Sequence, residues 1–205
     1  MENLTKILFK SILNTRKFHK IYFDFDGTIV NSAQRKKNIF LSITYPQHHK
    51  KIAEILLKFD GLNREIIIDE ICKNYNYNRV DLMTQFHKET ENIYNTCDAF
   101  THFKEFSEYY PVKLGIISSS DSDQIERWLL NTNNRKYITE IATPVSKKNY
   151  LKNEGNVLLF GDGKQDFECS RLSNVSVVYV SGWNDNFKSL NVEADYSLEF
   201  LHELI

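Results

Sequence analysis

The spacing of apolar positions changes period several times along the chain, and each change marks an element. Over residues 2–17, Leu4, Ile7, Leu8 and Ile12 recur at helical spacing among Lys6, Lys10, Arg16 and Lys17, which predicts an amphipathic, basic helix. The run Lys20-Ile21-Tyr22-Phe23 is aromatic and β-branched, the pattern of a buried strand, and it gives way abruptly to Asp24, Asp26 and Gly27. From Ser32 to about Phe100 only helical periods appear. Ile52, Ile55, Leu56 and Phe59 form one stripe, Ile66, Ile67 and Ile71 a second, and Leu82, Met83, Phe86 and Ile93 a third. Pro111 ends a helix expected over 98–110, and Val112 to Ile117 reads as a second buried strand, stopped by Ser118-Ser119-Ser120. A helix is expected over 121–130, strands over 137–142, 156–160, 175–180 and 194–198, and a helix at the C-terminus. Strand followed by helix, repeated, predicts an α/β fold around a parallel sheet, with a block of helices inserted after the first strand.

Two of these strands end on acids. Side chains of a strand repeat every two residues, so Asp24 and Asp26 are expected on one side of the strand end. Gly27 lets the chain turn, and Thr28 is the first polar residue of the exit loop. Paired carboxylates there are costly unless a cation or hydrogen bonds compensate them, and an oxygen-only set suits Mg²⁺. The strand at 156–160 likewise runs into Gly161 and Asp162, with Asp166 four residues later. Ser118 and Ser119 stand between a strand and a helix amino terminus, where free N–H groups and the helix dipole make a phosphate seat. A plain serine-rich turn is the other reading.

Composition narrows the class. The 205 residues suit one domain of ordinary size or one domain carrying a modest insertion, and 41% hydrophobic with 26% charged residues is a globular balance. A net charge of −1 gives no bulk electrostatic case for nucleic acid. Cys72, Cys97 and Cys169 are scattered without metal spacing, which fits a reduced, cytoplasmic setting. No apolar run approaches a membrane span, and no signal-peptide pattern opens the chain. His48, His49 and His87 show no ligand spacing and are expected at the surface.

Asp24-Phe25-Asp26-Gly27-Thr28 resembles the first motif of the haloacid dehalogenase-like phosphohydrolases, and Gly161-Asp162 with Asp166 resembles the fourth. Ser118 resembles the second motif, and Lys147, four residues before Leu151, the third, with Lys148 as the alternative. The resemblance implies a Rossmann-like three-layer parallel sheet core over 1–31 and 101–205, with a helical cap of the C1 type over 32–100. It implies Asp24 as nucleophile and Asp26 as acid and base, the latter with a raised pKa because it must begin protonated. It also implies Mg²⁺ held by Asp24, Asp162 and the Asp26 backbone carbonyl, with Asp166 either a further ligand or a residue supporting one. Ser118, Lys147, Thr28 and the Ser119 N–H would serve the phosphate. Phe59-Asp60-Gly61-Leu62-Asn63-Arg64-Glu65 resembles a cap specificity loop, with Asn63 as helix N-cap; Arg64 either reaches an anionic substrate group or is a solvated helix-start residue. The helix over 2–17 departs from the family, which begins near the motif strand.

The activity so implied is a Mg²⁺-dependent phosphatase of a small phosphorylated metabolite, a sugar phosphate or phosphoglycolate-like acid, in a monomer or dimer. Asp26 argues against a dehalogenase, and Lys36, where mutases often carry His, argues against a phosphomutase. A catalytically silent binding module and a membrane-surface role for residues 2–17 are the readings from other classes.

Overall fold

The computed structural model describes residues 4–59, 63–183 and 194–205. Six strands, β1 (Lys20–Phe23), β2 (Lys113–Ile117), β3 (Ile138–Ala142), β4 (Val157–Gly161), β5 (Val175–Val180) and β6 (Tyr196–Leu198), form one sheet in the order β3-β2-β1-β4-β5-β6. Every neighbouring pair is parallel. Chain order reverses beside β1, and the carboxyl ends of strands at such a reversal leave a crevice. The apolar runs are continuous because both faces of the sheet are covered. Ile21 and Phe23 enter one core with Phe103, Phe106 and Trp128, while Tyr22 enters the other with Ile117, Leu159 and Phe167. Phe23 stacks on Phe160 of the neighbouring strand with ring centroids 5.0 Å apart.

The basic N-terminal helix, α1 (Leu4–Arg16), docks on this core. Phe9 is buried against Phe106, Tyr110 and Phe160, and Leu13 is buried beside it. The side chains of Leu4, Ile7 and Leu8, expected in the apolar stripe, lie outside the described set. Among the described residues no helix is long and apolar enough to cross a membrane.

Between β1 and β2 the chain forms α2 (Ala33–Ser42), α3 (His49–Lys58), α4 (Arg64–Asn74) and α5 (Arg79–Tyr94), whose apolar faces make a separate core around Phe40, Ile52, Ile68, Ile71, Leu82 and Phe86. Asn63 caps α4 by accepting from the Glu65 N–H, as its position before the helix predicts. The buried stripe of α4 is Ile67, Ile68 and Ile71, one step round from the expected set, and Ile66 is 37% exposed. A neck joins these helices to the sheet. The Asn31 N–H donates to the Asp98 carbonyl (2.9 Å) and the Phe100 N–H to the Ile29 carbonyl (2.8 Å). That pairing holds residues 98–100 extended, so α6 covers only Phe103–Tyr109 rather than 98–110.

The remaining helices are α7 (Ser122–Asn131), α8 (Lys147–Leu151) and α9 (Lys164–Cys169), with Asp121 and Ser146 capping the first two. The helix expected at the C-terminus is a 3₁₀ helix, Leu201–Leu204. There the Glu203 carboxylate accepts from the Glu199 and Phe200 N–H groups, and Leu201 and Leu204 are buried.

Candidate active site

Register brings the acids together. Phe23 on β1 stands level with Ile116 on β2 and Phe160 on β4, so Asp24, Ser118 and Asp162 leave three adjacent strands at one edge. The Asp24 N–H donates to the Phe160 carbonyl (2.8 Å), which extends the ladder one residue and fixes where its carboxylate begins. Lys147, at the start of α8 and 3% exposed, places Nζ 2.8 Å from Asp24 Oδ2 and 2.8 Å from Asp166 Oδ1. Carboxylate oxygens of Asp24, Asp162 and Asp166 lie within 4.8 Å of one another. Asp162 is held by the Thr28 hydroxyl (3.1 Å), and Asp166 by the Gly163 N–H (3.0 Å). Gly27 has φ +81°, and a Cβ at that position would collide with the Asp162 carboxylate. Only glycine satisfies both the turn and that close approach.

Three carboxylates against one lysine leave uncompensated negative charge, and all the donors are hard oxygens. This set fits Mg²⁺. Burial pushes the Asp24 carboxyl well above the ordinary carboxylate value; Lys147 opposes that, and the nearby Asp166 and Asp162 charges add to it. Burial also works against a charged Lys147, but Asp166 and Asp24 outweigh it and hold the ammonium above its usual value.

Asp26 lies in the turn after β1 and lines the same cavity as Asp24, but its carboxylate belongs to a different network. It accepts from the Ser32 hydroxyl (2.6 Å), from Lys36 Nζ (2.8 Å), from the Tyr94 hydroxyl (3.1 Å) and, in a very short bond, from the Ser120 hydroxyl. Lys36 spends its remaining N–H groups on the Tyr94 hydroxyl (2.8 Å) and the Ser120 hydroxyl (2.7 Å). The raised pKa expected of Asp26 is therefore corrected. Burial does push the carboxyl up, but the Lys36 charge and the bonds from Lys36, Ser120 and Ser32 bring it below its ordinary value. Burial in turn lowers the Lys36 ammonium, against the pull of Asp26. The sequence singles out Lys36 only as the position where mutases often carry His; its part in holding Asp26 is what sequence reasoning missed, because it depends on Tyr94 and Ser120 converging there.

The other expected site residues divide. Ser118 and Ser119 line the cavity with Lys147, and the Ser118 hydroxyl accepts from the Ser120 N–H (3.1 Å). Thr28 is buried and is absent from the cavity lining, so its expected contact with substrate is corrected: it orients Asp162. Lys148 lies in an outer groove with Lys58 and Lys164, which leaves Lys147 as the lysine of the acid cluster. Arg64 is no solvated residue. Its side chain is 10% exposed, it pairs with Asp121 (3.0 Å), and it lines the cavity. His48, His49 and His87 are half-buried rather than on the surface; His48 bonds the Tyr77 hydroxyl and His87 the Gln124 amide. The three cysteines are free thiols.

A Rossmann-like parallel sheet carries acids at adjacent strand ends, with a lysine between them. The chain belongs to the haloacid dehalogenase-like hydrolase family, whose profile matches residues 21–180. Solved structures agree with the fold. A haloacid dehalogenase-like hydrolase from Bacteroides fragilis is 16% identical, with a TM-score of 0.68 over 92% of this chain and 100% of that one. The HAD-hydrolase YfnB from Bacillus subtilis, solved bound to magnesium, is 15% identical, with a TM-score of 0.66 over 91% and 96%. A predicted phosphoglycolate phosphatase from Haemophilus somnus is 17% identical, with a TM-score of 0.66 over 90% and 95%. No curated protein matches the sequence.

Proposed function

We propose that the chain is a Mg²⁺-dependent phosphohydrolase that cleaves a small phosphorylated metabolite through an aspartyl phosphate on Asp24. One observation carries the reading: nearly buried Lys147 bonds Asp24 and Asp166 at once, while Asp162 completes an acid group within 4.8 Å. A structural ion pair needs one acid; three acids on one lysine leave charge for a divalent ion to answer. Asp24, Asp162 and Asp166 would hold the ion, with the Asp26 backbone carbonyl beside them. Bound there, Mg²⁺ supplies the positive charge that lets a carboxylate approach a phosphate.

Asp24 attacks phosphorus in line, and the bond from phosphorus to the alcohol oxygen breaks as the acyl phosphate forms. Lys147, Ser118 and the Ser119 N–H hold the equatorial oxygens while charge spreads over them. The proton for the departing oxygen belongs to the Asp26–Lys36 pair: Lys36 passes it across their 2.8 Å hydrogen bond to Asp26, which hands it on to the oxygen, leaving Asp26 ionised and Lys36 neutral. In the second step Asp26 takes a proton from water, the water oxygen attacks phosphorus, and Asp24 is released. That proton passes on to Lys36, and the pair returns to its starting state.

The helices of residues 32–100 act as the cap, and the cavity between them and the sheet edge suits a small substrate rather than a macromolecule. Arg64 would meet an anionic group there. A cytoplasmic setting and an absence of nucleic-acid partners fit this chemistry. The test is phosphate release from a panel of phosphorylated metabolites with Mg²⁺. Activity abolished by EDTA and by Asp24→Asn supports the reading; a silent panel from folded, Mg²⁺-binding protein removes it.

A further inference from the structure

The cavity wall opposite the acids bears on the choice of substrate. From Asp24, Ser118 and Lys147 the cavity, about 130 Å³ in volume, runs into the core of the inserted helices. Ala33, Phe40, Leu56, Ile67 and Phe86 line it there, so α2, α3, α4 and α5 each contribute hydrocarbon. Phe40 and Phe86 are stacked with centroids 4.4 Å apart, a rigid aromatic platform. The polar groups that the insertion adds, among the described residues, are all cationic: Lys36, Lys37 and Arg64.

Those cations only donate hydrogen bonds. Lys36 has committed its N–H groups to Asp26, Tyr94 and Ser120. Arg64 gives one nitrogen to Asp121, and its Nε is a buried N–H with no partner. Each hydroxyl of a sugar is a donor as well as an acceptor. The acceptors that line the cavity, Asp26, the serines and Gln165 among them, belong to the sheet side; against the wall of inserted helices a hydroxyl hydrogen would meet rings and methyl groups, and a buried donor without an acceptor is costly.

Resting on the phosphatase reading, we infer that the substrate is a phosphate monoester of a small alcohol with a hydrocarbon or aromatic body, carrying at most one acceptor or anionic group for Arg64 Nε, and not a sugar phosphate. The body packs on Phe40, Phe86, Leu56 and Ile67 while the phosphate sits at Asp24. Specificity comes from burying apolar surface and from stranding the hydroxyls of polar competitors.

The experiment compares kcat/KM for benzyl phosphate and n-pentyl phosphate with that for ribose 5-phosphate and glucose 6-phosphate, with Mg²⁺ saturating. These leaving alcohols are all poor, so the ratio reads the chamber and not the ease of bond breaking. Hydrocarbon esters are expected to lead by roughly tenfold or more, and Ile67→Thr, which puts a hydroxyl into the wall, to cut that lead roughly tenfold. Sugar phosphates matching or exceeding the hydrocarbon esters would overturn the inference. If wild-type protein hydrolyses none of them, the phosphatase reading fails, and calorimetric titration of the Asp24→Asn protein decides the chamber separately. Benzyl phosphate binding at least roughly tenfold tighter than ribose 5-phosphate keeps the inference, and equal or weaker binding overturns it.

Discussion

Lys36 Nζ lies 2.8 Å from Asp26 Oδ2, and this pair ties the first inserted helix to the turn that carries the proposed acid and base. The two side chains are only 14% and 16% exposed, so neither is free to answer its charge with water. The Lys36 charge holds the Asp26 carboxyl below its ordinary value, so in the proposed cycle the transferable proton starts on the lysine.

Replacing the lysine therefore has a signed consequence. In Lys36→Met the proton must sit on Asp26 itself, which titrates below a lysine, so the alkaline limb of the pH–rate profile moves down by about one unit or more. An upward shift would mean that Asp26 holds its own proton in the wild type. Stability follows the same linkage. The Asp26 carboxyl is lowered in the fold, so its contribution is present above the unfolded carboxylate value and lost as pH falls through the folded one. Lys36→Met is expected to cost about 3 kcal/mol at neutral pH, with the gap to wild type closing below about pH 4 in thermal melts.

Thr28 touches the proposed metal site only through Asp162. Thr28→Val keeps the shape and removes the hydroxyl, so Mg²⁺ affinity by titration is expected to fall about 10- to 100-fold while the melting temperature changes little. Unchanged affinity would show that Asp162 needs no orienting bond.

Mg²⁺ should stabilise the protein in a pH-dependent way. Asp24 is raised in the fold, so its contribution to stability is full below the unfolded carboxylate value and is lost as pH rises through the folded one. The shift in melting temperature caused by Mg²⁺ is thus expected to be small near pH 4 and to grow toward neutrality. Asp24→Asn should remove the Mg²⁺ shift and raise the metal-free melting temperature at neutral pH. A pH-independent shift in the wild type would argue against ionisation of the acid cluster as the coupled event.

The acid cluster was legible in the sequence because Asp24 and Asp162 each follow a strand and Asp166 comes four residues after Asp162. Periodicity locates β1, β2 and β4, register then aligns their ends, and Asp24, Ser118 and Asp162 meet without any long-range information beyond parallel pairing. The Asp26 environment was not legible. It depends on Lys36 from α2, Tyr94 from α5 and Ser120 after β2, and no local pattern records that three such segments converge. Thr28 misled for a related reason: its place in the motif suggests substrate, but the tight turn at Gly27 directs its hydroxyl to Asp162. The shifted stripe of α4 has a simpler cause. Four apolar residues at 66, 67, 68 and 71 allow two faces, and packing chose the one that buries Ile68.

Arg64 offers a graded test of the cavity. Arg64→Lys keeps the charge but loses the planar fork that faces Asp121 and the unpartnered Nε. KM for the best substrate is expected to rise about tenfold with little change in kcat, the signature of lost binding shared by ground and transition states. A fall in kcat alone would place Arg64 in the chemical step instead.

The most direct test of the central claim is to trap the covalent state. Protein turning over a ³²P-labelled ester with Mg²⁺ is quenched in acid within milliseconds, digested and mapped. The account predicts label on the peptide carrying Asp24, lost on a cold chase at the rate of turnover and absent in Asp24→Asn. Steady phosphate release with no labelled peptide, or activity retained in Asp24→Asn, would contradict it.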